Sequence, residues 1–369
     1  MAVPEHTIYH VFSTFAVGGP QRRFAALARE MPAFHHVISA MDNTYDAQEL
    51  LRGQCSYEIR PVEIEKGSGF SPANIRHLRE HIKTVSAGLL CTYNWGSIEA
   101  VMANGTVLPG KSLTPHLHFE DGFGPDESPT RQNWKRSFAR CLLLRNTRII
   151  VPSNVLKNLA CSKWGLNPKN VIYIPNGVNL ERFQGGQRLS DERLVIGTLG
   201  ALRKEKNFAR LLRVYAQASI AEKARLVIAG DGPERAALQA LTLEMGLQDD
   251  VAFSGHTENP EEVHATFDIF ALSSDTEQMP IALLEAMACS LPVISTDVGD
   301  VAQMVAEENR RFILPLMDED RLAQALSELV NDPQGRKTLG YLNRRRVEQA
   351  YSHEAMVSQY QTIFSQILR

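Results

Sequence analysis

Two glutamates, Glu277 and Glu285, bracket an otherwise apolar run in "DTEQMPIALLEAMACSLPVIST", residues 275–296. Pro280 suits the first turn of a helix, with Thr276 or Asp275 upstream as caps. Glu277 then lies in the loop before that helix, and Glu285 about one and a half turns inside it. Spacing alone does not put both on one helical face, but entry through a loop lets Glu277 fold back over the helix start. Free N–H groups point there too. Carboxylates accept hydrogen bonds from hydroxyls, and helix-terminal amides hold phosphate oxygens. A ligand carrying both groups in that order is a nucleotide sugar. In a second arrangement Glu277 only complements the helix dipole and Glu285 pairs with a buried base. On spacing alone it stays open.

Three further loops carry chemistry. In "FAVGGPQRRF" Gly18 and Gly19 permit close backbone approach and Pro20 opens a helix, a natural anion cradle or simply a tight turn. In "GTLGALRKEKNF" there is no dinucleotide fingerprint, and Arg203, Lys204 and Lys206 follow a strand end. Arg203 and Lys206 suit a diphosphate, whereas Lys204 reads as a solvated surface lysine. In "TPHLHFEDGFGPDE" His118, Glu120 and Asp121 cluster with Gly122 and Gly124 beside a strand end. That density of titratable groups looks more like a site than a surface loop, with a plain polar loop as the alternative.

The elements that must position these loops follow a repeating scheme. The apolar runs "TIYHVF", "HHVISA", "GLLCTY", "RIIVPS" and "VIYIP" alternate with segments of helical period in the first half. "LVIGTLG", "RLVIAGDG", "VAFSG", "DIFALS" and "PVIST" do so in the second. Short apolar strands spaced by helices predict parallel sheets covered on both faces. The turn-rich stretch 176–193 separates the two series. The expected fold class is α/β, with two doubly wound Rossmann-like domains facing a cleft: 1–180, then 181–350. A C-terminal helix, 351–369, could cross back to the first domain after an interruption near Ser352. Ligands of such sheets sit at the carboxyl ends of strands.

The totals agree with a globular chain and narrow its partners. Of 369 residues, 44% are apolar and 22% charged, with a formal charge of −3, so no nucleic-acid partner is indicated. The five cysteines are scattered and contain no C-x-x-C, which argues against a disulfide framework and a structural zinc site, and for a reducing cytoplasm. No signal peptide and no membrane-spanning run is expected.

The segment "EQMPIALLEAMACSLPVISTDVGD" resembles the E-x7-E segment of glycosyltransferase family 4, the retaining enzymes of the GT-B fold. "VGGPQRR", "VPSNVLKNL", "IPNGVNLERF", "GALRKEKN", "IAGDGPER" and "FSGH" match in order, so the resemblance spans nearly the whole chain. It implies that Glu277 lies against the donor sugar and that Glu285 holds the ribose hydroxyls. Backbone amides of Met279, Ile281 and Ala282 would meet sugar and phosphate, while Pro280 has no N–H to give. The family's basic pair falls on Ala201 and Lys206, so only the lysine survives, with Arg203 as a substitute. The usual Gly-Phe after the first glutamate is Gln278-Met279 here, which leaves the sugar open. A histidine of the family's N-terminal half aligns with Asp121, with His118 three residues earlier.

The resemblance also implies retention at the anomeric carbon, no metal and no cofactor beyond the nucleotide-sugar donor, with a UDP-sugar favoured. A front-face transfer, in which the departing phosphate takes the acceptor's proton, is the expectation. Lys206, Arg203 and helix amides would stabilise the leaving diphosphate. The segment 131–148, "RQNWKRSFARCLLLRNTR", holds six basic residues and no acidic one, interleaved with Trp134, Phe138, Leu142 and Leu143. It suits either an anionic membrane surface, with a glycan or lipid-linked glycan as acceptor, or a core-packed helix with solvated arginines. Rival readings are a sugar-nucleotide epimerase, a glycan phosphorylase, and a catalytically silent nucleotide-sugar-binding scaffold.

Overall fold

The computed structural model describes residues 6–64, 70–105, 112–123, 127–128, 131–186 and 193–368. The chain divides into two compact units, Met1–Pro175 with Met356–Arg369, and Asn176–Ala355. Gly124 and residues 187–192 of the linker lie outside the described residues.

The first unit runs β1 (His6–Phe12), α1 (Gly19–Arg29), β2 (Phe34–Ala40), β3 (Ser56–Ile59), α2 (Pro72–Val85) and β4 (Leu89–Tyr93). It continues with α3 (Ile98–Asn104), β5 (His116–Phe119), α4 (Trp134–Leu144), β6 (Arg148–Val151), α5 (Asn154–Ser162) and β7 (Val171–Tyr173). Among the described residues its strands form one parallel sheet in the order β3-β2-β1-β4-β5-β6-β7. Helices cover both faces, so β4 is buried throughout and β1 from Ile8 onward, His10 included. Local chemistry sets the helix starts. Ser71 accepts from Asn74 N ahead of α2, Asn133 from Lys135 N and Arg136 N ahead of α4, and Ser153 from Leu156 N ahead of α5.

The second unit runs β8 (Leu194–Leu199), α6 (Phe208–Ala218), β9 (Ala224–Ala229), α7 (Arg235–Glu244), β10 (Val251–Gly255), α8 (Pro260–His264) and β11 (Ile269–Leu272). Then come α9 (Ile281–Ala288), β12 (Val293–Thr296), α10 (Val301–Met304), β13 (Ile313–Leu314), α11 (Glu319–Asn331) and α12 (Pro333–Ala350). Its described strands also form one parallel sheet, ordered β10-β9-β8-β11-β12-β13. The chain breaks between Ala350 and His353, and α13 (His353–Leu368) follows. From Met356 onward α13 belongs to the first unit, where Met356, Val357, Tyr360, Ile363 and Phe364 join the core of β1, β4 and β5.

Both sheets reverse their winding direction once. In the first, the chain works outward from β1 to β3 and returns to β4. In the second it does so from β8 to β10 and returns to β11. The loops that leave neighbouring strands at such a reversal diverge to opposite faces, and the gap between them is where doubly wound sheets bind ligands. Loops after β1 and β4, and after β8 and β11, are therefore the places to look.

Candidate active site

In the second unit the loop after β8 carries Arg203 and Lys206, and the loop after β11 carries Glu277. Backbone and side-chain bonds latch the two loops together. Asp275 N donates to Glu205 O at 2.8 Å, and Ser273 Oγ to Lys206 O at 3.1 Å. Asn207 caps α6 and donates to Asp275, while Arg210 one turn on donates to Ser273 O and pairs with Asp275 at 2.8 Å. Two glycines make the approach possible. A Cβ on Gly230, φ +135, would lie 1.9 Å from Gly200 O at the root of the first loop. A Cβ on Gly299, φ +57, would lie 2.5 Å from both Glu277 O and Gln278 O.

The outcome is a charged pair at the switch point. Lys206 Nζ donates to Glu277 Oε1 at 2.5 Å, and Ser274 Oγ donates to the same oxygen at 2.7 Å. Both partners are mostly shielded, with side-chain exposures of 26% and 11%. Arg203 is exposed and makes no ion pair among the described residues, and Ala201 is exposed beside it. Among the described residues nothing holds the Arg203 guanidinium, which leaves it available to an anion.

Pro280 sits at the N-cap of α9, and the N–H groups of Ile281 and Ala282 have no intrahelical acceptor. Met279 is buried. Its sulfur accepts from Asn176 N and its carbonyl from Asn176 Nδ2, which fixes the residue that precedes the N-cap. Glu285 lies inside α9, and its Oε2 meets His264 Nε2 at 3.3 Å. His264 is fully buried among Phe183, Phe267 and Phe270. Glu285 thus does pair with a buried base, as the second sequence arrangement held, yet its Oε1 keeps no partner among the described residues. The pairing fixes one oxygen and leaves the other to accept a hydroxyl.

In the first unit Gly18 caps α1 with extended backbone and Gly19 begins it; a Cβ on Gly18 would press on Gln21 Oε1 at 2.9 Å. One turn into α1, Arg23 pairs with Asp121 at 2.6 Å, with both side chains under a tenth exposed. Burial works against the Arg23 charge, but Asp121 beside it raises its pKa above the ordinary value. Asp121 Oδ2 is buried without a hydrogen-bond partner. His118 is placed differently from the sequence expectation. It is fully buried, with Nδ1 2.7 Å from Thr92 Oγ1 and Nε2 3.1 Å from Glu120 Oε2, so neither nitrogen is open to a ligand. Glu120 is likewise buried; burial alone would raise its pKa, but Arg140 and His118 bring it below the usual carboxylate value.

Several residues that matter here carry weak sequence signals. Asn94, at the end of β4, has φ 59° and ψ 175°, a region that costs a non-glycine residue roughly 1–3 kcal/mol. It is held there because its N–H donates to Phe119 O, Ser97 donates to its carbonyl, and its Oδ1 accepts from Asp121 N at 2.7 Å. Asn94 therefore sets the backbone of Asp121. Arg23 was visible only as one of two arginines after Gly-Gly, and His264 only as a lone histidine in "EEVHATF".

Residues 17–182 match the family model described as Glycosyltransferase Family 4, and residues 181–346 the model described as Glycosyl transferases group 1. The chain belongs to the glycosyltransferases built from these two domains, with the GT-B fold. It is 29% identical over 181 residues to the N-acetyl-alpha-D-glucosaminyl L-malate synthase of Bacillus anthracis, 49% of this chain and 48% of that one. It is 32% identical over 223 residues to the phosphatidylinositol N-acetylglucosaminyltransferase gpi3 subunit of Schizosaccharomyces pombe, 59% and 48%. The chain spans about half the length of the curated relatives it matches. Among solved structures it is similar in fold to Anabaena HepE in complex with UDP, with TM-score 0.81, 16% identity, and coverage of 98% and 100%.

Proposed function

We propose that this chain is a glycosyltransferase that moves a sugar from a nucleotide-sugar donor held by its second unit to a glycan or lipid-linked acceptor. The observation that carries the reading is the Lys206–Glu277 pair, set at the sheet's switch point with Glu277 in the loop that leads into α9, whose Ile281 and Ala282 amides have no acceptor among the described residues. Together they supply a cation, two N–H donors and a carboxylate within one loop pair. A diphosphate draws on the first two, and a sugar hydroxyl on the third. Glu285 Oε1, one helical turn on from the amides, takes the ribose hydroxyls.

Lys206, Arg203 and the α9 amides stabilise the leaving diphosphate electrostatically, so the reaction needs neither a metal nor a cofactor. No carboxylate is assigned as a covalent nucleophile. Retention through a front-face transfer, with the departing phosphate taking the acceptor's proton, is the mechanism we infer. Asp121, with one oxygen unpaired, is the first unit's hydrogen-bond acceptor for sugar or acceptor hydroxyls, whereas His118, with both nitrogens taken by Thr92 and Glu120, makes no direct contact with them. A UDP-sugar is the favoured donor. HepE was solved with UDP, and the names of two relatives specify N-acetylglucosaminyl transfer, one of them to phosphatidylinositol. The protein then works in the cytoplasm. Among the described residues no helix is long and apolar enough to cross a membrane.

The test is incubation with UDP-, GDP- and ADP-sugars, with nucleoside-diphosphate release and product anomeric configuration as readouts. Release with a UDP-sugar, abolished in Glu277→Ala, supports the reading. Tight nucleotide-sugar binding with no release under any acceptor supports the scaffold instead, and a free altered sugar nucleotide made without acceptor supports the epimerase.

A further inference from the structure

The helix α4 is turned outside in for its composition. Trp134, Phe138 and Leu142 are 73%, 66% and 43% exposed, and their spacing of four places them in one row along the helix. The residue it buries completely is an arginine. Arg140 Nη1 and Nη2 donate to Glu127, and Nη2 also reaches Glu120 at 3.3 Å. Its guanidinium lies 4.5 Å from the Trp164 ring centroid and 5.1 Å from that of Trp95. With Leu143 and Leu144 buried in the core behind it, the helix cannot roll to hide the aromatic row. An ion pair this deep is held only because both acids and both indoles close around it. The exposed row is therefore a fixed feature of the surface.

Charge along this stretch of the chain is one-sided. Between residues 128 and 180 the sequence has nine lysines and arginines and no aspartate or glutamate. Arg131, Lys135, Arg145 and Arg148, in and beside α4, are exposed and form no ion pair among the described residues. Lys163 and Lys169 after α5 are exposed in the same way. A cationic rim around a protruding Trp-Phe-Leu row is the composition that lies in the headgroup layer of an anionic bilayer. A second copy of the chain would bring the same uncompensated positive rim against itself. A nucleic acid would satisfy the rim but leave the aliphatic end of the row facing water.

We propose that α4 docks this protein on an anionic phospholipid surface, with Trp134, Phe138 and Leu142 entering the boundary between headgroups and acyl chains. Arg131, Lys135, Arg145 and Arg148 face the lipid phosphates. The docking stands on this geometry; its purpose, delivery of the enzyme to a lipid-linked acceptor, rests on the function proposed above.

The experiment is co-sedimentation of the full chain with phosphatidylcholine vesicles, with and without phosphatidylglycerol, together with tryptophan emission. Binding that requires phosphatidylglycerol, weakens with salt and shifts emission to the blue is expected. Trp134→Phe keeps the binding and loses most of the shift, because Trp164 is already buried. The combined Trp134→Ser, Phe138→Ser and Leu142→Ser variant, checked by its circular-dichroism melt, binds roughly tenfold or more weakly. Lys135→Ala with Arg145→Ala and Arg148→Ala loses the preference for phosphatidylglycerol. UDP affinity measured on every variant stays at the parental value, so a failure of docking is distinct from a failure of the donor site. The proposal is overturned if the parent binds neither vesicle, binds both equally, or binds unchanged after the triple serine substitution. It is also overturned if the parent is a dimer that the serine variant dissociates.

Discussion

Lys206 and Glu277 meet at 2.5 Å although they leave different strands, β8 and β11, on either side of the point where the second sheet reverses its winding. Glu277 compensates the lysine's charge, so a phosphate that binds here must share the lysine or take it from the carboxylate. The pair therefore belongs to binding and catalysis more than to folding. A partly exposed pair contributes only about 0–1 kcal/mol to stability.

That separation gives the first prediction. Lys206→Ala lowers turnover by about 10²–10³, the usual effect of removing one preorganised donor from a developing negative charge. Its melting temperature stays close to the parent's, and Lys206→Arg recovers part of the rate. Steady-state kinetics alongside a thermal melt checks both halves.

His264 is a positioning residue for Glu285. His264→Phe fills the aromatic pocket of Phe183, Phe267 and Phe270 but removes the bond to Oε2. The donor KM rises several-fold, about 1 kcal/mol for a lost hydrogen bond, with kcat little changed. His264→Gln, which can donate to the same oxygen, restores part of the KM. An equal fall in kcat and kcat/KM would mean that Glu285 acts on the transition state instead.

Much of this arrangement was legible in the sequence, and the exceptions have physical causes. Ten of the strands were marked by short, mainly apolar runs, because a sheet covered on both faces needs them. β3, "SYEI", is an edge strand with half-exposed residues, and β13 is only two residues long, so neither presents such a run. β5, "HLHF", hides behind two histidines that the fold neutralises by hydrogen bonds to Thr92. The same burial withdrew His118 from the surface, which its polar type could not reveal. Glu277, Glu285 and Lys206 were readable because their spacing and loop context are chemical. Asn94 was not, since backbone strain leaves no mark on composition.

Stability will fall as the solution is acidified below neutrality. His10 and His116 are held well below the ordinary histidine value of 6.5, first by burial and then by a neighbouring histidine, and His36 is brought down to about 3 in the same way. His10 Nε2 lies 3.0 Å from His36 Nδ1, so the two cannot both carry a proton. The unfolded chain takes up protons near 6.5 while the folded one does not. Stability is therefore complete above that value and drains away as pH falls towards about 3. Each histidine contributes a slope of about 1.4 kcal/mol per pH unit. Melts at pH 7.5 and 5.5 should differ markedly, and His36→Phe should reduce the difference.

Arg140→Leu removes the guanidinium that, among the described residues, reaches both Glu120 and Glu127. Leaving two buried acids behind is expected to cost about 3–5 kcal/mol. Combining it with Glu120→Gln and Glu127→Gln recovers much of the loss. Chemical denaturation of the parent and both variants measures it.

Calorimetric titration of UDP and a UDP-sugar into the parent, Lys206→Ala, Glu277→Gln and Glu285→Gln measures what each side chain contributes to holding the donor. Lys206→Ala and Glu285→Gln should each weaken UDP by roughly tenfold or more, the worth of one charged hydrogen bond. Glu277→Gln should instead erase the affinity that the sugar adds beyond UDP. Affinities unchanged across all three substitutions would place the nucleotide elsewhere and contradict the account.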